Sequence, residues 1–155
     1  MHVYLSGGME YADDGGKGWR EEMQQWMENE FGATVFNPPR ESEQYLRLHH
    51  PGVDPRVLKA TDPDAFRSMI RPIIERDCRE IAEKADLVVC MWDHSAMRGA
   101  GTQGELTIAR YFGKPVFLLS AGDPETLPAW IVGCTSAISL SPETLKGHIT
   151  AFLKS

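Results

Sequence analysis

Leu87 to Met91 is an unbroken apolar run with no polar side to turn toward water. A strand of that kind needs cover on both faces, as parallel strands between two helical layers have. Val116 to Leu119 repeats the pattern, and His2 to Ser6 is a third short apolar run, stopped by Gly7 and Gly8. Ala33 to Phe36, ended by Asn37-Pro38-Pro39, and Ala137 to Leu140 complete five predicted strands. Between them lie helical spacings. Trp19, Met23, Trp26 or Met27, and Phe31 recur on one face, with Gly32 as the stop. Asp64 to Lys84 reads as one long helix with Phe66, Ile70, Ile73, Ile74 and Ile81 inward. Pro72 should kink it or mark a second start. A short helix follows Glu105, and Ser141 and Pro142 open a last one as cap and first position. Residues 9–17 read as a loop, and 37–63, with its five prolines, as a long irregular insertion. Strands alternating with helices imply an α/β, three-layer, flavodoxin/Rossmann-like fold with a five-stranded parallel sheet ordered 2-1-3-4-5.

At 155 residues the chain is expected to form one domain, 1–155, able to bury about two-thirds of its unfolded surface. Its net charge of −6 argues against a nucleic-acid polymer as partner, though not against a mononucleotide, which needs only one local anion site. Cys78, Cys90 and Cys134 lack metal-ligand spacing, and an odd number of thiols in apolar surroundings reads as reduced. No run approaches the roughly 18 apolar residues of a membrane span, and the start shows no secretion signal. These features lead us to expect a cytoplasmic protein without a membrane partner. The pair His49-His50 reads as a solvated loop, so no metal and no cofactor is expected.

In such a sheet, ligands sit beyond the carboxyl ends of strands 1 and 3. Three segments converge there: Ser6-Gly7-Gly8, Trp92-Asp93, and the glycine-rich stretch from Arg98 to Glu105. Glu105 falls where that stretch turns into helix. The first helical turn offers free N–H groups and a positive dipole end, which favour an ionised, accessible carboxylate. Asp77 is the second informative acid. It lies within the apolar stripe of its helix, where an unpaired charge is costly. Either it has a buried partner such as an arginine, or it lines a polar cavity with its pKa raised. Tyr4, if it faces the crevice, can donate its hydroxyl to Glu105. Gly7 and Gly8 can offer N–H groups to an anion, although no helix begins directly after them as a dinucleotide fingerprint requires. Trp19 and Trp26 read as core or pocket wall, and Trp92 is the aromatic best placed to stack on a base.

Tyr4 to Gly8, Asp77 ahead of Ala85 to Val89, and Gly101 to Arg110 ahead of Gly113 to Val116 together resemble the nucleoside 2-deoxyribosyltransferase superfamily, which includes nucleotide N-glycosidases. The resemblance runs through nearly the whole chain in order. It implies Glu105 as nucleophile, Asp77 as the acid that passes a proton to the departing base, and Tyr4 as the residue orienting Glu105. The implied reaction cleaves or exchanges the N-glycosidic bond of a 2'-deoxynucleoside or its 5'-monophosphate through a covalent glycosyl-glutamate. Implied substrate contacts are Ser6, Gly7, Gly8, Trp92, Asp93, Ser95, Arg98, Gly101 and Thr102. A homodimer or higher homo-oligomer is implied as well. The chain departs from the transferase pattern in one place. Gly99 stands where transferases carry a sugar-gripping aspartate, and the nearest upstream carboxylate is Asp93. Either a longer loop returns Asp93 to the sugar, or Arg98, Ser95 and Thr102 hold a 5'-phosphate, which favours a nucleotide hydrolase. A non-catalytic nucleotide-binding module of the same fold is the remaining alternative.

Overall fold

The apolar runs become the centre of a sheet covered on both faces. The computed structural model describes residues 1–155. Strands β1 (His2–Gly7), β2 (Thr34–Phe36), β3 (Leu87–Trp92), β4 (Val116–Ser120) and β5 (Ala137–Ser139) are all parallel, in the order 2-1-3-4-5. The helices are α1 (Gly18–Phe31), α2 (Pro38–His49), α3 (Pro55–Thr61), α4 (Pro63–Arg79), α5 (His94–Arg98), α6 (Ala100–Tyr111), α7 (Ala129–Cys134) and α8 (Pro142–Lys154).

Strand alternation sorts the core into two layers. Val3, Leu5, Leu87, Val89, Phe117 and Leu119 meet Met23 and Met27 of α1 and Leu145 and Ile149 of α8. On the other face Tyr4, Val88, Cys90, Trp92, Val116 and Leu118 meet Leu106 and Ala109 of α6 and Ile131 of α7. The register sets Ser6 against Cys90 and Gly7 against Met91. Thus the carboxyl ends of β1 and β3 lie level, and Tyr4 and Ser6 face the α6 layer. Gly32 closes α1 at φ 60°, its N–H reaching the carbonyls of Met27 and Glu28.

Residues 37–63 are not an irregular insertion, because α2 and α3 occupy most of that span. Four of its five prolines sit in first helical turns, where their missing N–H has no partner to lose. Asp54 and Asp62 cap α3 and α4 by accepting backbone N–H bonds. Pro72 neither ends nor restarts its helix, since α4 runs unbroken from Pro63 to Arg79. Beyond it the backbone widens into a π-helical turn, Glu80–Lys84, rather than continuing as α-helix. The inward stripe of α4 is Met69 and Ile73, while Ile74 is 53 % exposed, contrary to the sequence expectation. No helix is long and apolar enough to cross a membrane. All three cysteines are free thiols.

Candidate active site

Glu105 occupies the second turn of α6, not the first. Gly99 is the N-cap residue, and Gly101 and Gly104 are absorbed into the helix instead of forming a turn before it. The carboxylate is half-buried and reaches back over the end of β1. Tyr4 donates its hydroxyl to Glu105 Oε1 at 2.8 Å, and Ser6 donates to Oε2 at 2.5 Å. Burial pushes the Glu105 pKa up, opposed by the Ser6 and Tyr4 hydroxyls and the positive charge of Arg20. Its ionisation is therefore defended by specific donors rather than by the helix end. Each oxygen keeps a lone pair for a reacting carbon. Tyr4 is itself fully buried and stacks on Phe36 with ring centroids 5.3 Å apart, so its hydroxyl has a fixed direction. Burial, then the charges of Glu105 and Asp77, raises the Tyr4 pKa well above the ordinary value, which keeps it a donor.

Asp77 comes one helical turn after Ile73 on the inner side of α4, and its side chain is 14 % exposed. The first sequence alternative holds, and the raised pKa attached to the second accompanies it. Arg76 is the partner, its Nε and Nη2 donating to Asp77 Oδ1 at 2.9 and 2.7 Å. Even so, burial raises the Asp77 pKa to about 6, against the pull of Arg76 and with a further push from Glu105 and Glu80. Arg76 is oriented in turn by Ser42 of α2 at 3.0 Å and by the Phe36 ring 5.3 Å from its guanidinium carbon. Helices α4 and α6 pack together. Two carboxyl groups from distant parts of the chain thus act on one another beside Tyr4, both raised in proton affinity by burial, Glu105 opposed by two hydroxyl donors and Asp77 by Arg76.

The Gly7–Gly8 segment is a place of close approach. A Cβ on Gly8 would stand 2.0 Å from Ser95 Oγ and 2.7 Å from the Ala96 nitrogen. Ser95 is buried, and its hydroxyl has no hydrogen-bond partner. Beside it, at the carboxyl ends of β1 and β3, opens a cleft of about 410 Å3 lined by Tyr11, Asp13, Asp14, Asp93, His94 and Ser95. Asp93 caps α5, accepting from the Ala96 N–H at 2.8 Å, so one of its oxygens is committed locally. Arg98 is exposed, with its guanidinium carbon 4.3 Å from the centre of the Tyr11 ring. Gly101 and Thr102 lie in the first turn of α6, the glycine exposed and the threonine buried.

Two sequence expectations change. Trp92 is 3 % exposed within the Tyr4–Leu106 core layer, so its ring presents no open face to a base. The strand continues one residue further than expected and carries Trp92 inward. Ser6, read as a substrate contact, spends its hydroxyl on Glu105. Three residues went unnoticed in the sequence: Phe36, Arg76 and Arg20. Arg20 is fully buried and lies three residues before Met23 and seven before Met27, both buried. That spacing placed it on the inward stripe of α1, where an arginine needs a reason.

No family model matches the chain, and no curated protein matches it in sequence. Among solved structures it resembles the CMP N-glycosidase BcmB of Clostridium botulinum. The likeness covers 97 % of this chain and 99 % of that one, at 18 % identity and a TM-score of 0.52. The shared feature is the fold.

Proposed function

We propose that this chain, acting as a single domain, cleaves the N-glycosidic bond of a nucleoside 5'-monophosphate, with Glu105 as nucleophile and Asp77 as the acid. The observation that carries the reading is the pair of donors on Glu105, Tyr4 at Oε1 and Ser6 at Oε2, beside an aspartate held protonatable to about pH 6. A Glu105 oxygen attacks C1' of the sugar as the C1'–N bond breaks. The bonding pair leaves with the base, which takes the Asp77 proton. Water then attacks C1', the ester C–O bond breaks, and Glu105 returns as carboxylate while the water's proton restores Asp77. The two carboxyl groups divide the work as in retaining glycosidases, with nitrogen as the leaving atom.

Hydrolysis of a nucleotide is favoured over base exchange on a nucleoside by the surroundings of Gly99. Position 99 itself carries no carboxylate, and Asp93 is occupied in capping α5. The Ser95 hydroxyl, Arg98 and the first turn of α6 with Thr102 are the groups suited to a 5'-phosphate. That a solved structure sharing this fold is a CMP N-glycosidase supports the same branch. Two or more copies are expected to assemble. Tyr111, Trp130 and Phe112 are 84 %, 68 % and 53 % exposed, and Trp130 donates to Thr107, one turn before Tyr111 on α6. An exposed apolar face of this kind suits a second copy of the chain.

Incubation with a panel of nucleosides and their 5'-monophosphates, with and without a second free base, tests the reading by chromatography. Free base and sugar phosphate from a monophosphate are expected, and Glu105→Gln should lower the rate by about 10³-fold or more while still binding the nucleotide. Exchange of bases would make the protein a transferase. An intact, bound nucleotide would make it a binding module.

A further inference from the structure

Arg20 is a buried cation without a carboxylate on it. Its guanidinium lies under the end of β1, on the face of the sheet opposite α6, and every hydrogen bond it makes is to backbone. Nε donates to Leu5 O at 3.2 Å, Nη2 to Gly7 O at 2.7 Å, and Nη1 to Gly16 O at 2.6 Å and Gly8 O at 3.3 Å. The Trp19 ring covers it, 4.7 Å from the guanidinium carbon. The glycines are fitted to it. A Cβ on Gly16, at φ +73°, would stand 2.3 Å from Nη1 and 2.2 Å from Gly8 O. One side chain therefore ties both ends of the 7–16 loop, which carries the Tyr11–Asp14 wall of the cleft.

Bracing a loop does not need a charge, and a charge this deeply buried is unfavourable unless something opposes it. We propose that Arg20 is a positioning residue for the reaction above, with its guanidinium serving as the counter-charge that holds Glu105 as a carboxylate across the end of β1 while clamping the Gly7–Gly8 turn in place. The proposal rests on the reading of Glu105 as nucleophile. Around Glu105 stand Tyr4 and Ser6 from β1, Asp77 with its partner Arg76, and Cys78, from α4, and Cys90 from β3. Arg20 grips the carbonyls on either side of Ser6, those of Leu5 and Gly7, and the Ser6 hydroxyl holds Glu105 Oε2, so the guanidinium and the carboxylate meet the same three residues of β1 from opposite faces. Apart from Arg20, the positive charge near Glu105 is the Arg76 already committed to Asp77. Among the groups acting on Arg20 itself (Glu105, Tyr4, Cys90 and Asp14), Glu105 provides the largest attraction.

This placement has a consequence for the reaction. Forming the glycosyl ester removes the Glu105 charge and leaves the guanidinium unopposed. Arg20 therefore favours the second step, in which the C1'–O bond breaks and the carboxylate returns. Without it the covalent intermediate should accumulate, lowering kcat and KM together.

The test is a 13C titration of the Glu105 carboxyl by NMR in the wild type, Arg20→Lys and Arg20→Gln, alongside kcat and KM. The Glu105 midpoint should rise in Arg20→Gln by the equivalent of about ten-fold in proton affinity, and by less in Arg20→Lys, which keeps the charge but loses the fork. In the wild type, the Arg20 Nε resonance should follow the Glu105 midpoint and become flat in Glu105→Gln. That measurement decides the matter if Arg20→Gln does not fold. An Arg20 resonance indifferent to Glu105, or an unmoved Glu105 midpoint in a folded Arg20→Gln, overturns the proposal and leaves Arg20 as a loop brace alone. None of the titrations needs a substrate. Coupled titrations without turnover of any nucleotide would sink the proposed reaction and not the pairing, whereas turnover with uncoupled titrations would do the reverse.

Discussion

At the residue scale burial raises the proton affinity of both carboxyl groups, and what differs is the opposition: two hydroxyls and Arg20 on Glu105, Arg76 on Asp77. Asp77 ionises near pH 6 in the fold, because burial outweighs Arg76, whereas an aspartate in an unfolded chain does so near 3.9. Between those values the folded state holds the extra proton, so this group's contribution to stability falls as pH rises, by about 3 kcal/mol at most. Asp77→Asn should remove that slope, measured as urea midpoints from pH 4 to 7; an unchanged slope would mean that Asp77 is not protonated in the fold. In the proposed reaction the same proton assists base departure. The rate for poor leaving groups should fall as pH rises through about 6, and Asp77→Asn should slow those substrates most. Equal slowing across a leaving-group series would contradict the relay. Asp77 was legible in the sequence because a carboxylate in an apolar stripe is anomalous on its face. Arg76, the partner that offsets its burial, was not, since an adjacent arginine looks like a solvated neighbour until the Phe36 ring and Ser42 are brought against it.

At the element scale the strands were easier to read than the helices. Each strand is a short apolar run bounded by glycine, proline or polar residues, and burial on both faces leaves little ambiguity of period. Residues 37–63 misled because proline was weighed as a breaker. Pro38, Pro39, Pro55 and Pro63 start helices here, and Asp54 and Asp62 were visible as their caps. Pro72 is the exception, an exposed proline inside α4 where it denies the helix one backbone bond. Pro72→Ala should raise stability by about 1–3 kcal/mol in denaturant unfolding, and a loss would show that the proline serves some packing role. The β1 turn should respond in the opposite direction. Gly8→Ala sets a Cβ 2.7 Å from the Ala96 nitrogen, a backbone atom that cannot rotate away. A loss of about 1–3 kcal/mol is expected, with α5 displaced. Unchanged stability would mean that the two segments are not held in contact.

At the scale of the whole molecule, the parallel sheet brings Tyr4, Asp77 and Glu105 together from three elements at one edge, and the order 2-1-3-4-5 makes that edge the divergence point of the connections. Composition and charge argued against a nucleic-acid polymer but carried no information on whether copies meet, because exposed apolar residues look scattered until the fold gathers them. Trp130→Glu should shift the sedimentation profile from a dimer or larger species to monomer; a wild type that sediments as monomer would remove the second copy from consideration. The central claim is that Glu105 bonds covalently to the sugar. Rapid acid quench during turnover of a nucleoside 5'-monophosphate, followed by peptide mass spectrometry, tests it most directly. A sugar-phosphate mass on the peptide containing Glu105, absent in Glu105→Gln, is the expected result. Free base released by the wild type with no adduct, and at the same rate by Glu105→Gln, would contradict it.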